Sequence, residues 1–282
     1  MIAQTNRRPI RLLRKHIALP QQHGSWALWL GPLAVGVAVA GGFTAGHFWL
    51  ILSILCIFLS LQPLTIAVKA VAGRKSAGNL QPALVWLSVY GLISLAGAFG
   101  LIRFGHGRVL WLGLAALPVL GWHLHLVSRR EERGQILAEI AGAGMLALAA
   151  PAAYLVGGGD PGTGAVLWFL CSLQAAAAIV HVYLALAYRR MAAFPDFPQR
   201  IRLSRKSILL HVLVLGTAAA LAVAGAAPRL IWIPFALMLA EALHGGLLDP
   251  PVGARPAAIG IRQTIVTAVF AALVFVSYLP GI

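Results

Sequence analysis

Acidic residues are scarce in this sequence, and charge of either sign is sparse. Asp and Glu number 7 against 22 Lys and Arg, and charged residues make up only 10% of the 282 residues. A soluble globular domain carries about 25% charged residues. Because 60% of the residues are hydrophobic, a core of this size cannot hide its apolar surface from water. The composition excludes an ordinary soluble domain and indicates that lipid is the solvent.

Cysteine is nearly absent as well. Cys56 and Cys171 both lie within apolar runs, so they form neither a zinc pattern nor a disulfide pattern. A cleavable signal peptide is not expected, because residues 1–22 are basic and polar and the apolar run that follows is long enough to span a membrane. We therefore expect a basic cytoplasmic N-terminal tail at 1–22 and a transmembrane helical domain at 23–282.

Long apolar runs fill the rest of the chain. A membrane span needs about 20 mainly apolar residues, and about nine such runs are present, which predicts an all-α, polytopic transmembrane helical bundle. The predicted spans are 24–41, 47–68, 80–102, 109–127, 136–156, 164–187, 207–225, 229–247 and 260–280. The eighth is the weakest of these, because Pro234 interrupts it.

The placement of the 22 Lys and Arg residues predicts an orientation. With the N-terminus inside the cell, only Arg103, Arg108 and Arg229 fall on the outer side and the other 19 on the inner side. Basic residues accumulate in cytoplasmic loops, so this split predicts a multi-pass protein of the bacterial cytoplasmic (inner) membrane with a cytoplasmic N-terminus. Because these basic residues are spread between apolar runs, they suit an anionic membrane surface and do not predict nucleic acid binding.

Ionisable residues within spans are the main candidates for function, because they are costly in a membrane. Two of the acidic residues, Glu139 and Glu241, fall within spans. Six histidines map to the cytoplasmic third of a span, namely His23, His123, His125, His181, His211 and His244. These groups could converge on one cavity that opens to the cytoplasm. The alternative is that they are ordinary polar residues whose side chains reach the interface.

Four short motifs carry the candidate site residues, at Pro20–Trp26, Trp122–Arg133, His181–Arg190 and Glu241–His244. The string Pro20-Gln-Gln-His-Gly-Ser-Trp26 opens the first span and offers donors, a titratable ring and an aromatic face. On the fourth span, His125, Arg129 and Arg133 recur every four residues, so they share a helix face that suits a phosphate or carboxylate. The predicted catalytic residues are Glu139, His23, His123 and His181. The predicted substrate-binding residues are Gln22, Trp26, His125, Arg129, Arg133, Tyr183, Arg189, Arg190, Glu241 and His244.

No metal site is predicted. Glu241 and His244 are three residues apart and share a face, as in di-metal bundles, but those sites need two such motifs and further glutamates. A hydrogen bond between the two side chains is the simpler interpretation. The cofactor is left unknown.

Two resemblances follow from these strings. Gln21-Gln-His-Gly-Ser-Trp26, Ala138-Glu139-Ile-Ala-Gly142 and Pro151-Ala-Ala-Tyr154 resemble the YwiC-like family of uncharacterised bacterial multispan proteins. The nine-span layout with a cytoplasmic polar end also looks like that of the UbiA-type intramembrane prenyltransferases. The aspartate-rich motifs of that family are absent from the ends of spans two and six, which read Gln62–Lys69 and His181–Arg190. Since Mg²⁺ prefers carboxylate oxygens, either the fold is shared and the chemistry lost, or arginines hold the diphosphate.

Three functions remain open at this stage. The first is a divergent UbiA-like protein that binds or modifies an isoprenoid or other amphipathic lipid with an anionic head, in which His or Glu139 transfers protons. The second is a transporter or permease, although no repeat between the two halves supports it. The third is a non-catalytic factor for respiratory or haem-protein assembly, in which histidines ligate haem. Membrane lipids are the expected partners.

Overall fold

The computed structural model describes residues 15–20, 23–132 and 134–279, without the side chains of residues 15, 23 and 24. Within these ranges the chain is helical and contains no strand. Seven helical segments, one of them the helix pair at Ile136–Val156, are long and apolar enough to cross a membrane, and two shorter apolar helices accompany them. The helices are α1 (Lys15–Ala18), α2 (Ala27–Val39), α3 (Ala45–Val71), α4 (Leu80–Arg103), α5 (Leu110–Arg129), α6 (Ile136–Leu146), α7 (Ala149–Val156), α8 (Pro161–Arg189), α9 (Phe197–Val223), α10 (Trp232–Leu243) and α11 (Pro256–Ser277). The predicted all-α, multi-pass architecture is confirmed, and membrane lipid is its environment.

The two shorter helices correspond to the predicted first and eighth spans. Helix α2 has only 13 residues. It follows a 3-10 turn at His23–Trp26 and ends before Gly41 and Gly42, which both have positive φ. Helix α10 passes into a π-helical turn at His244–Leu248. The predicted fifth span is made of two helices, α6 and α7, which succeed one another along the chain.

Consecutive spans run in opposite directions. Ser53 on α3 donates a hydrogen bond to the Ser94 carbonyl on α4, and the Cβ of an alanine at position 100 would meet Trp49. As residue numbers rise on one helix they fall on the other, so the two are antiparallel. Contacts between α8 and α9 and between α10 and α11 follow the same rule, at His181–Ser207, Tyr188–Ser204, Phe235–Phe270 and Glu241–Arg262.

This alternation brings four connections to one end of the bundle, which we call the basic end: residues 72–79, 130–135, 190–196 and 249–255. Arg74 bonds to Glu132 across the first two connections. Arg189, just before the third connection, donates to the Ala254 carbonyl in the fourth. The basic end is the end that the charge count predicts to be cytoplasmic. That orientation stays a prediction.

Helix α2 lies inside the bundle, and α5 lies at its edge. Gly36 on α2 faces the backbone of Ala150 and the side chain of Ala153 on α7, and the fully buried Trp29 packs on Phe58 of α3. By contrast, only 11% of the apolar window of α5 is buried, which is the lowest share among the seven long helices. Helix α5 therefore presents most of its apolar surface to lipid.

Candidate functional site

A pocket of about 390 Å³ opens at the basic end between the connections that follow α3 and α5. We call it the basic pocket, and it is lined by Lys69, Arg74, Lys75, Arg130 and Glu132. Lys69 is in the last turn of α3, and Arg130 is the C-cap residue directly after the end of α5. The four cations and one carboxylate give the lining an excess of positive charge, which suits an anionic ligand.

Glu132 organises two of these cations. The Arg74 guanidinium donates to both carboxylate oxygens at 3.0 Å, and the Lys69 ammonium lies 3.0 Å from Oε1. Arg74 also donates to the Val127 carbonyl, which fixes its orientation at the end of α5. Within the described ranges Lys75 and Arg130 have no acidic partner. They are therefore the cations most available to a ligand.

Arg130 has a backbone conformation that glycine usually provides. Its φ of 66° is left-handed, and it is the one non-glycine residue with positive φ in the described parts of the chain. It caps α5, where the amide of Glu131 donates to the Leu126 carbonyl. Such a cap favours glycine because a Cβ costs about 1 kcal/mol there. An arginine at this position therefore strains the backbone locally. Such strain is found most often at functional sites, so it points to a role for the Arg130 side chain.

The charge on Glu132 makes stability depend on pH. Partial burial opposes ionisation, but the hydrogen bonds from Arg74 and Lys69 outweigh it and lower the pKa from 4.5 to about 2. A carboxyl whose pKa is lower in the folded state stabilises the fold above its unfolded pKa and loses that effect as pH falls towards the folded pKa. Stability from this group is therefore full above about 4.5 and disappears by about 2.

We predict that Glu132→Gln lowers the free energy of unfolding at neutral pH by about 1 to 2 kcal/mol, because charge-assisted hydrogen bonds are lost. The difference from the wild type should shrink as the pH falls below 4.5. Thermal unfolding in detergent across this pH range measures it. Glu131→Gln, one residue away and exposed, is the matched control. A difference between Glu132→Gln and wild type that does not change with pH would contradict the prediction.

A second polar group joins α10 to α11. The Arg262 Nε lies 2.5 Å from Glu241 Oε1, and Nη2 donates to Glu241 Oε2 at 2.9 Å and to His244 Nδ1 at 3.0 Å. Because arginine can only donate, Nδ1 of His244 accepts. The predicted direct bond between Glu241 and His244 is not found in the described residues. Helix spacing does place both on one face, and an arginine from the neighbouring helix bridges them.

His181 on α8 and His211 on α9 are buried next to this group. Their ring centroids are 6.0 Å apart, with the rings nearly perpendicular. His211 Nδ1 lies 2.7 Å from the Ser207 carbonyl, and His181 Nδ1 lies 3.5 Å from the Ser207 hydroxyl. A carbonyl only accepts, so His211 Nδ1 carries the proton. A Cβ at Gly245 would lie 3.2 Å from His181 Nε2 and 3.7 Å from Arg262 Nη2, so the two groups meet across this glycine.

The π-helical turn is held by side chains from α8 and α9. The buried Tyr188 hydroxyl and the Ser204 hydroxyl both donate to the Gly246 carbonyl at 2.9 Å. Arg200 donates to the Leu247 carbonyl at 2.5 Å, and its guanidinium lies over the Phe194 and Phe197 rings. These donors satisfy carbonyls that the wide turn leaves free. Turns of this kind occur often at functional sites.

A third polar group joins α6 to α8. The Tyr183 hydroxyl on α8 donates to Glu139 Oε1 on α6 at 2.7 Å. These two predicted site residues are 44 positions apart in sequence, and only the antiparallel packing of α6 and α8 brings them together. Tyr183 lies two residues from His181, so the two side chains leave α8 on different faces.

The remaining predicted site residues are dispersed. Trp26 packs against Trp29 and Phe58 in an aromatic cluster. His123, His125 and Arg129 are exposed on α5, and His123 lies within electrostatic range of Glu132 and Lys69. Arg189 donates to the Ala254 carbonyl, and Arg190 is exposed. Gln22, Arg133 and the His23 side chain lie outside the described residues.

Within the described ranges, four of the predicted polar residues lie together around Gly245 and Arg262, namely His181, His211, Glu241 and His244, and Glu139 pairs separately with Tyr183. Their catalytic and binding roles stay predictions. The sequence placed the cations of the basic pocket in cytoplasmic loops, and it gave no signal that Glu132 pairs with Arg74 from another loop. Among the described residues no group of three or more His, Cys, Asp and Glu side chains could hold a metal ion.

Comparisons with known proteins confirm one of the two resemblances. The family described as YwiC-like protein matches residues 19–154. The Uncharacterized protein YwiC of Bacillus subtilis (strain 168) is 32% identical over 125 residues, which are 44% of this chain and 48% of that protein. The chain thus spans about half the length of the curated relative it matches. No solved structure matches, and the UbiA-like layout is not confirmed.

Proposed function

We propose that this YwiC-like membrane protein binds a lipid with an anionic headgroup, and that the headgroup occupies the basic pocket on the cytoplasmic side of the inner membrane. The observation that carries the proposal is the pocket itself, which has four cations and one carboxylate around about 390 Å³. Lys75 and Arg130 are its uncommitted cations. Anionic groups bind such clusters through charge-assisted hydrogen bonds.

The apolar part of the ligand has a surface beside the pocket. Helix α5 ends at Arg129, next to Arg130 in the pocket, and its side exposes Leu114 and Leu117 by 53% and 54%. Trp122 is exposed by 41% nearer the basic end, where an indole suits the membrane interface. A tail that lies along this side of α5 would continue directly from a headgroup in the pocket. This arrangement supports a lipid ligand over a small soluble anion.

The proposal predicts a loss of lipid binding when the two uncommitted cations are removed. Each cation near an anionic headgroup contributes about 1 kcal/mol, so Lys75→Gln combined with Arg130→Gly should weaken binding by about 30-fold. Arg130→Gly suits the left-handed backbone, so the fold should be kept. Native mass spectrometry of the purified full chain with phosphatidylglycerol measures the binding, and phosphatidylcholine with the same acyl chains measures the background.

Two controls make this experiment specific. Arg108→Gln removes an exposed cation at the opposite end of the bundle and should leave the binding unchanged. Glycerophosphoglycerol is the phosphatidylglycerol headgroup without its tails, so at millimolar concentration it should not displace the lipid. Equal losses in the Arg108 variant and the double variant would overturn the proposal. Displacement by glycerophosphoglycerol would assign the pocket to a soluble anion instead.

A further inference from the structure

We infer that the basic pocket selects a lipid with a terminal phosphomonoester over one with a phosphodiester or carboxylate, and that Glu132 limits the size of this preference. The inference rests on the proposed function and names the class of headgroup. It follows from the juxtaposition of one doubly paired carboxylate with two uncommitted cations in the same lining.

The charge distribution inside the pocket is uneven. Glu132 accepts hydrogen bonds from Arg74 through both of its oxygens and pairs with Lys69, so half of the cations are already neutralised in part. A ligand therefore approaches Lys75 and Arg130 with a carboxylate on the other side. A singly charged headgroup gains two cations but is repelled by Glu132. A second negative charge increases both the attraction to the four cations and the repulsion from Glu132, and because the cations outnumber the carboxylate the net change is attraction.

The number of donors also favours a terminal phosphate. A lysine ammonium has three donors, and in Lys69 the pair with Glu132 uses one of them. Lys75 and Arg130 contribute further donors from two different connections. A phosphomonoester presents three acceptor oxygens and a charge of about −1.5 to −2 at neutral pH. A phosphodiester has only two free oxygens and one charge, so it cannot use donors from three directions equally well.

Glu132 thereby acts as a specificity-determining residue. The carboxylate is held in place by Arg74, which is itself fixed by the Val127 carbonyl at the end of α5. Because its pKa is low, it remains charged at any pH near neutrality and penalises every anion that enters. This repulsion grows with the charge of the headgroup, so Glu132 reduces the advantage that the four cations give to a doubly charged headgroup.

The experiment compares phosphatidate with phosphatidylglycerol of identical acyl chains on the full-length protein, by native mass spectrometry at neutral pH. The wild type should prefer phosphatidate by about fivefold, the effect of one additional charge near a cation. In Glu132→Gln, binding of both lipids should rise and the preference for phosphatidate should grow by a further factor of about five, because the doubly charged headgroup is relieved of twice the repulsion. Glu131→Gln should keep the wild-type preference. Thermal unfolding of each variant verifies that the proteins compared are folded.

Each other outcome has a distinct meaning. Equal binding of the two lipids by the wild type, both above phosphatidylcholine, would overturn the inference and leave the proposed function intact. A preference that is unchanged or smaller in Glu132→Gln would overturn the role of Glu132. Binding of neither lipid above phosphatidylcholine would overturn the proposed function, and the inference with it.

Discussion

Replacing Arg262 with methionine is expected to lower the free energy of unfolding by about 2 to 4 kcal/mol, because it leaves Glu241 charged and unpaired inside the bundle. Glu241 is mostly buried, with 17% of its side chain exposed, and Arg262 supplies both of its close contacts. His244 loses its donor in the same variant. We place the effect below that of a fully buried pair because 37% of the Arg262 side chain is exposed.

The double variant Glu241→Met with Arg262→Met separates the cost of an unpaired charge from the value of the pair. Apolar residues of similar volume often replace a buried ion pair at little cost, so the double variant should recover most of the lost stability. Thermal or denaturant unfolding in the same detergent compares the three proteins. Equal losses in the single and double variants would show that packing of the Arg262 side chain matters, and not its charge.

A similarly large effect is expected where α2 and α7 approach each other. The Cβ of Gly36→Ala would overlap the Ala150 carbonyl and lie 2.8 Å from the Ala153 Cβ. Both contacts are with helix backbone or with a short side chain, so neither neighbour can move away without shifting its own helix. Overpacking of this kind costs about 1 to 3 kcal/mol, and we expect the upper part of that range.

Gly142→Ala is the matched control for this substitution. Gly142 lies within α6, and a Cβ there would meet nothing within 4 Å. Since glycine destabilises a helix interior by about 0.5 to 1 kcal/mol relative to alanine, Gly142→Ala should raise the unfolding temperature while Gly36→Ala lowers it. Changes of the same sign in the two variants would mean that helix propensity, and not close approach, decides the effect at Gly36.

The fold was largely predictable because its main determinant is local. Twenty apolar residues in a row are a property of the sequence, and they located the seven long helices. The shortness of α2 was not predictable in this way, since hydropathy does not report where a chain turns. That helix ends at Gly41 and Gly42, whose positive φ stops the helix although the residues before them are apolar.

The candidate site was less predictable, because its contacts join distant segments. The spacing of Glu241 and His244 correctly placed them on one face, but their partner Arg262 comes from the next helix. Glu139 and Tyr183 were both selected as candidates, yet nothing in the sequence indicated that they bond to each other. The basic pocket has the same origin, since Arg74 and Glu132 meet only after α3 to α6 have packed.

The left-handed backbone at Arg130 has a practical consequence for protein engineering. A screen that rewards thermostability or expression yield would favour glycine at this position, since glycine removes the strain. The selected variants would have higher thermostability or expression yield than the wild type and would lack a cation of the basic pocket. Stabilised versions of this protein selected without a binding assay are therefore expected to be biased towards variants whose basic pocket carries less positive charge, and position 130 is best held fixed during such a selection.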